Sequence, residues 1–208
     1  MLLGTGQMFR NSAPPVVYGT LNPSDKATNI TLSNGNLTAT DTATAAWISV
    51  RSQTSHSSGK WYWEWTLGSK GAGEGCCGFG NSSSPLQGGA NAFFGTDSNG
   101  IGLISNGQVW KNFTPTSVLA AINNGDTCSL AIDIGAQLFW CRKGAGNWNG
   151  SGAADPATAS GGIALPSGLA SGAIFAGISV LNNTDFSTAN FGASAFSQTP
   201  PSGFSAWG

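Results

Sequence analysis

Apolar and polar residues alternate with a period of two along most of this chain, and Asn-Gly pairs repeatedly interrupt the alternation. The pairs Asn34-Gly35, Asn99-Gly100, Asn106-Gly107, Asn124-Gly125 and Asn149-Gly150 are favoured centres of type I′ hairpin turns, because both residues tolerate positive φ. With Asn34-Gly35 as a two-residue loop, Leu32 faces Leu37 and Ile30 faces Ala39, leaving Thr31, Ser33, Asn36 and Thr38 on the polar side. The same construction around Asn106-Gly107 sets Ile104 against Val109 and Leu103 against Trp110. A third hairpin turns at Gly135-Ala136. Its first strand alternates Cys128, Leu130, Ile132 and Ile134 with Ser129, Ala131 and Asp133, and Cys141 of the returning strand falls opposite Leu130. Neither face of that returning strand is polar throughout, since Phe139 and Cys141 share one while Leu138, Trp140 and Arg142 share the other. Further strands are predicted at 47–51, 61–67, 76–80 and 174–181, with 185–191 as a last edge strand. No window carries helical periodicity over three turns. Stretches 1–17, 81–92 and 143–172 read as irregular, and the last is long enough to carry function or a minor element of its own.

Composition narrows the picture. A length of 208 residues suits one all-β domain. Eight Trp and eleven Phe supply a packed core, and a charged content of 8%, against about 25% in ordinary domains, leaves no material for long solvated helices. A net charge of −1 with scattered Lys and Arg excludes a phosphate-neutralising surface, so nucleic acid is not a partner. No basic-then-apolar leader and no run of about 20 apolar residues is visible, so neither secretion nor membrane insertion is expected. Cys76, Cys77, Cys128 and Cys141 are too few for a disulfide scaffold and lack a CxxC pair, which fits assembly in a reducing cytoplasm. Cys128 and Cys141 would be diagonal neighbours about 7 Å apart, too far for an unstrained disulfide.

Candidate chemistry is sparse. His56 is the sole histidine and sits in the polar run Ser52-Gln53-Thr54-Ser55-His56-Ser57-Ser58, which reads as a solvated turn with no nucleophile elbow beside it. Glycoside hydrolysis needs two carboxylates about 5 to 10 Å apart, and Glu64 and Glu74 are separated by ten positions with no acid between them. Asp97-Ser98-Asn99-Gly100 begins like a calcium loop, yet Ile101, Gly102, Leu103 and Ile104 follow where ligands belong. Adjacent Cys76 and Cys77 point to opposite faces of a strand, one in the core and one covered. In Trp61-Tyr62-Trp63-Glu64-Trp65 the three tryptophans share one face and read as core rather than as a sugar platform. No catalytic, cofactor-binding or metal-ligating residue is assigned, and no cofactor is expected.

The blocks Gly59-Lys60-Trp61-Tyr62-Trp63-Glu64-Trp65, Gly78-Phe79-Gly80, Gly125-Asp126-Thr127-Cys128-Ser129-Leu130-Ala131-Ile132-Asp133 and Asn190-Phe191-Gly192 resemble, in order, those of a SPRY domain, over about 21–204. The resemblance implies an all-β, two-sheet antiparallel β-sandwich of concanavalin-like type, whose members bind peptides or proteins through loops at one end and are not enzymes. Trp140-Cys141-Arg142-Lys143-Gly144 departs from the family's Phe-x-x-Asn-Gly. A narrower likeness, to SPRY-like proteins of bacteriophages and prophages, is carried by Leu21-Asn22-Pro23-Ser24-Asp25-Lys26, Gly146-Asn147-Trp148-Asn149-Gly150, Asp155-Pro156-Ala157-Thr158 and Pro201-Ser202-Gly203-Phe204.

The expected organisation is an N-terminal arm over 1–20 and a sandwich over 21–208. The expected function is that of a non-enzymatic structural or binding module of a phage virion (fibre, tail or capsid decoration), contacting other virion proteins or copies of itself. Phe93, Phe94, Trp148 and Asn149 are the candidate binding residues. Leu2, Leu3, Met8 and Phe9 are the apolar anchors of an assembly arm. Two alternatives stay open: a lectin-like module stacking host surface polysaccharide on Trp148 and Asn149, and a secreted glycoside hydrolase.

Overall fold

The computed structural model describes residues 18–43, 45–71, 73–87 and 92–208; the predicted arm anchors Leu2, Leu3, Met8 and Phe9 lie outside them. Short segments rich in Thr, Val, Ile and aromatics fold as strands between glycine and asparagine turns. They are Leu21–Lys26 (β1), Ile30–Ser33 (β2), Thr38–Asp41 (β3), Ala45–His56 (β4), Lys60–Ser69 (β5), Cys76–Gly80 (β6), Gly100–Ile104 (β7) and Gln108–Lys111 (β8). Thr114–Ser117 (β9), Thr127–Asp133 (β10), Leu138–Lys143 (β11), Ile163–Ala164 (β12), Ile174–Asn182 (β13), Phe186–Asn190 (β14) and Ser205–Ala206 (β15) follow. One sheet runs β1-β4-β13-β6-β7-β8-β9 and the other β12-β11-β10-β5-β14-β3-β2. Neighbours along both are antiparallel, and β15 joins β5 in parallel. This is the expected all-β, two-sheet antiparallel sandwich.

The core lies between the sheets, where Trp63, Trp65, Leu130, Ile132 and Phe139 meet Val50, Phe79, Ile101, Leu103 and Ile178. Their alternate positions on each strand point inward, and each large side chain so buried contributes about 1.5–3 kcal/mol. The outward faces are covered too. Trp47, Cys76, Phe93, Phe94 and Ile104 pack together outside the first sheet, and Tyr62, Ala131, Trp140, Trp148 and Ala154 outside the second. That second cover explains why neither face of β11 is polar. The long 143–172 stretch supplies Trp148 and Ala154 to it, forms short 3-10 turns at Trp148–Gly150, Pro156–Thr158 and Ser167–Leu169, and sends Leu169 into the core between the sheets.

The three hairpins differ in register. The β10–β11 hairpin pairs Leu130 with Cys141 as predicted, and all four cysteines are buried and free. The β2–β3 hairpin pairs Leu32 with Ala39 and Ile30 with Asp41, two residues from the predicted register. Its loop holds four residues because Asn34, Gly35 and Asn36 all take positive φ. The β7–β8 hairpin pairs Leu103 with Val109 and Gly102 with Trp110. Its loop is the three residues Ser105-Asn106-Gly107, closed by Gly107 at φ +88°, a geometry that shifts the partner strand by one. That single step puts Val109 in the core and Trp110 outside, against Phe93. The segment at 185–191 is not an edge: β14 pairs with β5 on one side and with β3 on the other, and the β2–β3 hairpin takes the edge.

Candidate functional site

Loop segments 69–71, 73–75, 105–107, 118–126, 143–150 and 182–186 gather at one end of the sandwich, as the strand registers require. A cleft of about 430 Å³ opens there between Val118, Leu119 and Ala120 on one wall and Lys143, Gly146, Asn147 and Gly150 on the other. Two glycines set its width. The Gly107 carbonyl accepts the N–H groups of Val118 (3.1 Å) and Leu119 (2.9 Å), and a Cβ on Gly107 would stand 2.1 Å from the Leu119 oxygen. Gly150, at φ +66°, brings its backbone so near Val118 that a Cβ would also meet that carbonyl at 2.2 Å. Backbone thus approaches backbone where any other residue would force the walls apart.

Lys143 ties its wall to the 118–126 loop, its Nζ donating to the Ala121 carbonyl at 2.9 Å and pairing with Asp126 at 2.6 Å. The Lys143 ammonium, and after it the Asn123 N–H, hold the Asp126 carboxyl below its usual range. The pair is close to electrically neutral, and the ammonium keeps a third proton for an acceptor. Apolar Val118 and Leu119 facing this neutral ion pair suit a peptide segment with an aliphatic side chain better than a charged small molecule.

The predicted binding residues lie elsewhere or serve the fold. Phe93 and Phe94 are buried in the outer cluster of the first sheet, Phe93 packing against Trp47 and Trp110, so they offer no surface. Trp148 is only 9% exposed, with the Arg142 guanidinium 4.4 Å above its ring; the predicted exposed stacking platform is absent because the cation covers it. Asn149 takes φ +48° and its amide ties β11 to the covering loop, accepting from Cys141 N at 2.9 Å and donating to the Gly161 carbonyl at 2.8 Å. These two residues border the cleft in sequence but support it from behind. Val118, Leu119 and Asn147 escaped sequence reading, because only the Gly107 and Gly150 approaches bring their segments together.

Titratable groups are similarly engaged. Glu64 is buried and accepts from Tyr62 Oη, Ser197 N and Oγ, and Gln198 N, anchoring the C-terminal segment across the second sheet. Glu74 contacts Ser105 Oγ and Lys70. Burial raises the pKa of Asp185 against the pull of Asn182. His56 is not the solvated turn residue that was expected: it ends β4, stacks on Trp61 with centroids 3.4 Å apart and places Nε2 2.8 Å from the Trp207 carbonyl. Burial lowers its pKa, outweighing that carbonyl. Burial also pushes the Cys128 thiol up to about 12, which leaves it protonated and unreactive. Among the described residues no group of three or more His, Cys, Asp or Glu is placed to hold a metal.

No family model and no curated protein matches the chain. Solved structures do. The SPRY domain of human HERC1 superposes with a TM-score of 0.61 at 12% identity, over 84% of this chain and 99% of that one. The TRIM65 PSpry domain gives 0.58 at 13%, over 84% and 90%. Stonustoxin gives 0.57 at 14%, over 84% of this chain and 27% of the toxin. The fold is therefore that of SPRY domains, and at such identities the likeness speaks for the fold alone. The narrower likeness to phage proteins has no counterpart among these three.

Proposed function

We propose that this chain is a non-enzymatic protein-binding module that grips a short segment of its partner in the cleft between Val118–Ala120 and Lys143–Gly150. The cleft itself carries the reading: it is a concave, mostly apolar site held open by backbone contacts rather than by mobile side chains. Two further observations support it. Glu64, Glu74 and His56 are tied into the fold by internal contacts, and the SPRY-like scaffold is the one its sequence blocks resemble. The finer assignment is a virion component that contacts other virion proteins or copies of itself. It rests on the short blocks 21–26, 146–150, 155–158 and 201–204 that resemble phage proteins.

The test compares wild type with Leu119→Asp and Asn147→Arg, both on cleft walls. Wild type should enrich a discrete protein partner, and each variant should bind it more weakly by on the order of tenfold or more while still melting cooperatively; Leu119, which also packs against the core, should lower the midpoint on replacement and Asn147 should not. Undiminished capture by both variants would move the site elsewhere. For the finer assignment, mass spectrometry of purified particles should find the chain at fixed stoichiometry; its absence would leave a binding module outside the virion.

A further inference from the structure

Every Asn-Gly pair is a latent succinimide site, since glycine offers the least hindered nitrogen for attack on the preceding side-chain amide. The fold decides which pair reacts through its hold on the two groups that must meet. The N–H groups of Gly107, Gly125 and Gly150 donate to the carbonyls of Ile104 (2.9 Å), Leu67 (2.7 Å) and Asn147 (3.2 Å). Their asparagines are tied as well: Asn106 to Gln108, Asn124 to the Lys70 N–H and Asn149 to Cys141 and Gly161. Gly100 is buried in β7 opposite Gly80, and Asn99 is held by Asp97.

Asn34-Gly35 differs in its hydrogen bonding. Both residues are exposed, as are Asn124 and Gly125. Neither the Asn34 side chain nor the Gly35 N–H has a hydrogen-bond partner among the described residues, and a Cβ on Gly35 would meet nothing within 4 Å. The Asn34 carbonyl accepts from Leu37 N at 3.2 Å, but that N–H is shared with the Ser33 carbonyl at 3.1 Å. The Asn34–Gly35 peptide can therefore rotate while the loop stays closed.

We propose that Asn34-Gly35 is a deamidation site selected by the fold from among the five pairs. The Gly35 nitrogen attacks Asn34 Cγ; the N–Cγ bond forms, the Cγ–Nδ2 bond breaks, and the amide leaves as ammonia with the Gly35 proton. Water then opens the succinimide at Cγ to give aspartate, or at the main-chain carbonyl carbon to give isoaspartate. Each event makes the net charge of −1 one unit more negative. Isoaspartate also inserts a methylene into a loop whose Asn36 and Leu37 carbonyls accept from Leu21 N (2.9 Å) and Ala189 N (2.8 Å), so it pulls on the ties to β1 and β14.

The test is incubation of the folded protein in warm, mildly alkaline ¹⁸O-water, followed by peptide mapping. Label should accumulate at position 34 on the order of tenfold faster than at any other Asn-Gly pair, because the others must first break hydrogen bonds. In denaturant the five rates should converge. Equal or faster labelling at another pair in the folded protein would overturn the proposal, as would selectivity that persists after unfolding. Asn34→Gly keeps a residue suited to positive φ and should abolish the acidic isoform that appears on isoelectric focusing; an isoform that still forms at the same rate would also contradict the assignment.

Discussion

Gly107 does at residue scale what the cleft needs, holding φ at +88° while its carbonyl receives the N–H groups of Val118 and Leu119 and so fixes that wall. Replacement by Ala adds a strained backbone and a Cβ against the Leu119 carbonyl, so Gly107→Ala should destabilise by at least about 2 kcal/mol. Chemical denaturation checks this, and an unchanged midpoint would show that the approach is not required. His56 gives a pH dependence. Its native pKa lies below the ordinary 6.5, so the unfolded chain takes the proton first as pH falls. The stability it contributes is fully present above about 6.5 and is lost progressively below it, toward the native value. Urea midpoints at descending pH should fall in wild type and flatten in His56→Gln; identical profiles would remove His56 as the cause. Its contact with Trp207, 151 positions away, is why a local reading of Ser52 to Ser58 saw only a polar turn.

Among the elements, β9 is an exposed edge whose four residues all face solvent. The β8–β9 turn holds two residues, Asn112 and Phe113, both at positive φ. The flanking Lys111 and Thr114 therefore exchange the ladder bonds, and the Pro115 nitrogen faces outward. Proline there withholds a donor from any approaching strand. Pro115→Thr restores it and should produce concentration-dependent association by sedimentation; a monodisperse variant would show that the edge is guarded otherwise. The sandwich and most of its strands were legible from alternation and Asn-Gly turns, but loop length was not. Asn-Gly fits loops of two, three or four residues, and only Asn36 at φ +63° or the Gly107 bulge decides between them. An even error, as at Asn34-Gly35, preserves the faces. The odd one at Asn106-Gly107 exchanged Val109 and Trp110 between core and cover. The outer cover was unreadable for a different reason: Trp148 and Ala154 are too widely spaced to show a period, and the apolar outer face of β11 was their one trace.

For the whole molecule, the last residues close the sandwich. Trp207 is fully buried in the core, its indole donating to Ser52 Oγ and the Thr54 carbonyl and its N–H to the Tyr62 carbonyl, while Glu64 clamps Ser197 and Gln198 behind it. Trp207→Ala should cost about 3–5 kcal/mol, read as a lowered melting temperature; a loss under about 1 kcal/mol would mean the terminus is an ornament on an already closed fold. The proposed role has the loop end of this closed scaffold meet a partner, and site-specific photo-crosslinking tests that most directly. A photoreactive residue placed at Leu119 or at Asn147 should each link to one and the same protein species, while the same probe at Thr31, exposed on β2, should link to none. Crosslinks that arise only from Thr31, or equally from all three positions, would contradict a binding module that works through the cleft.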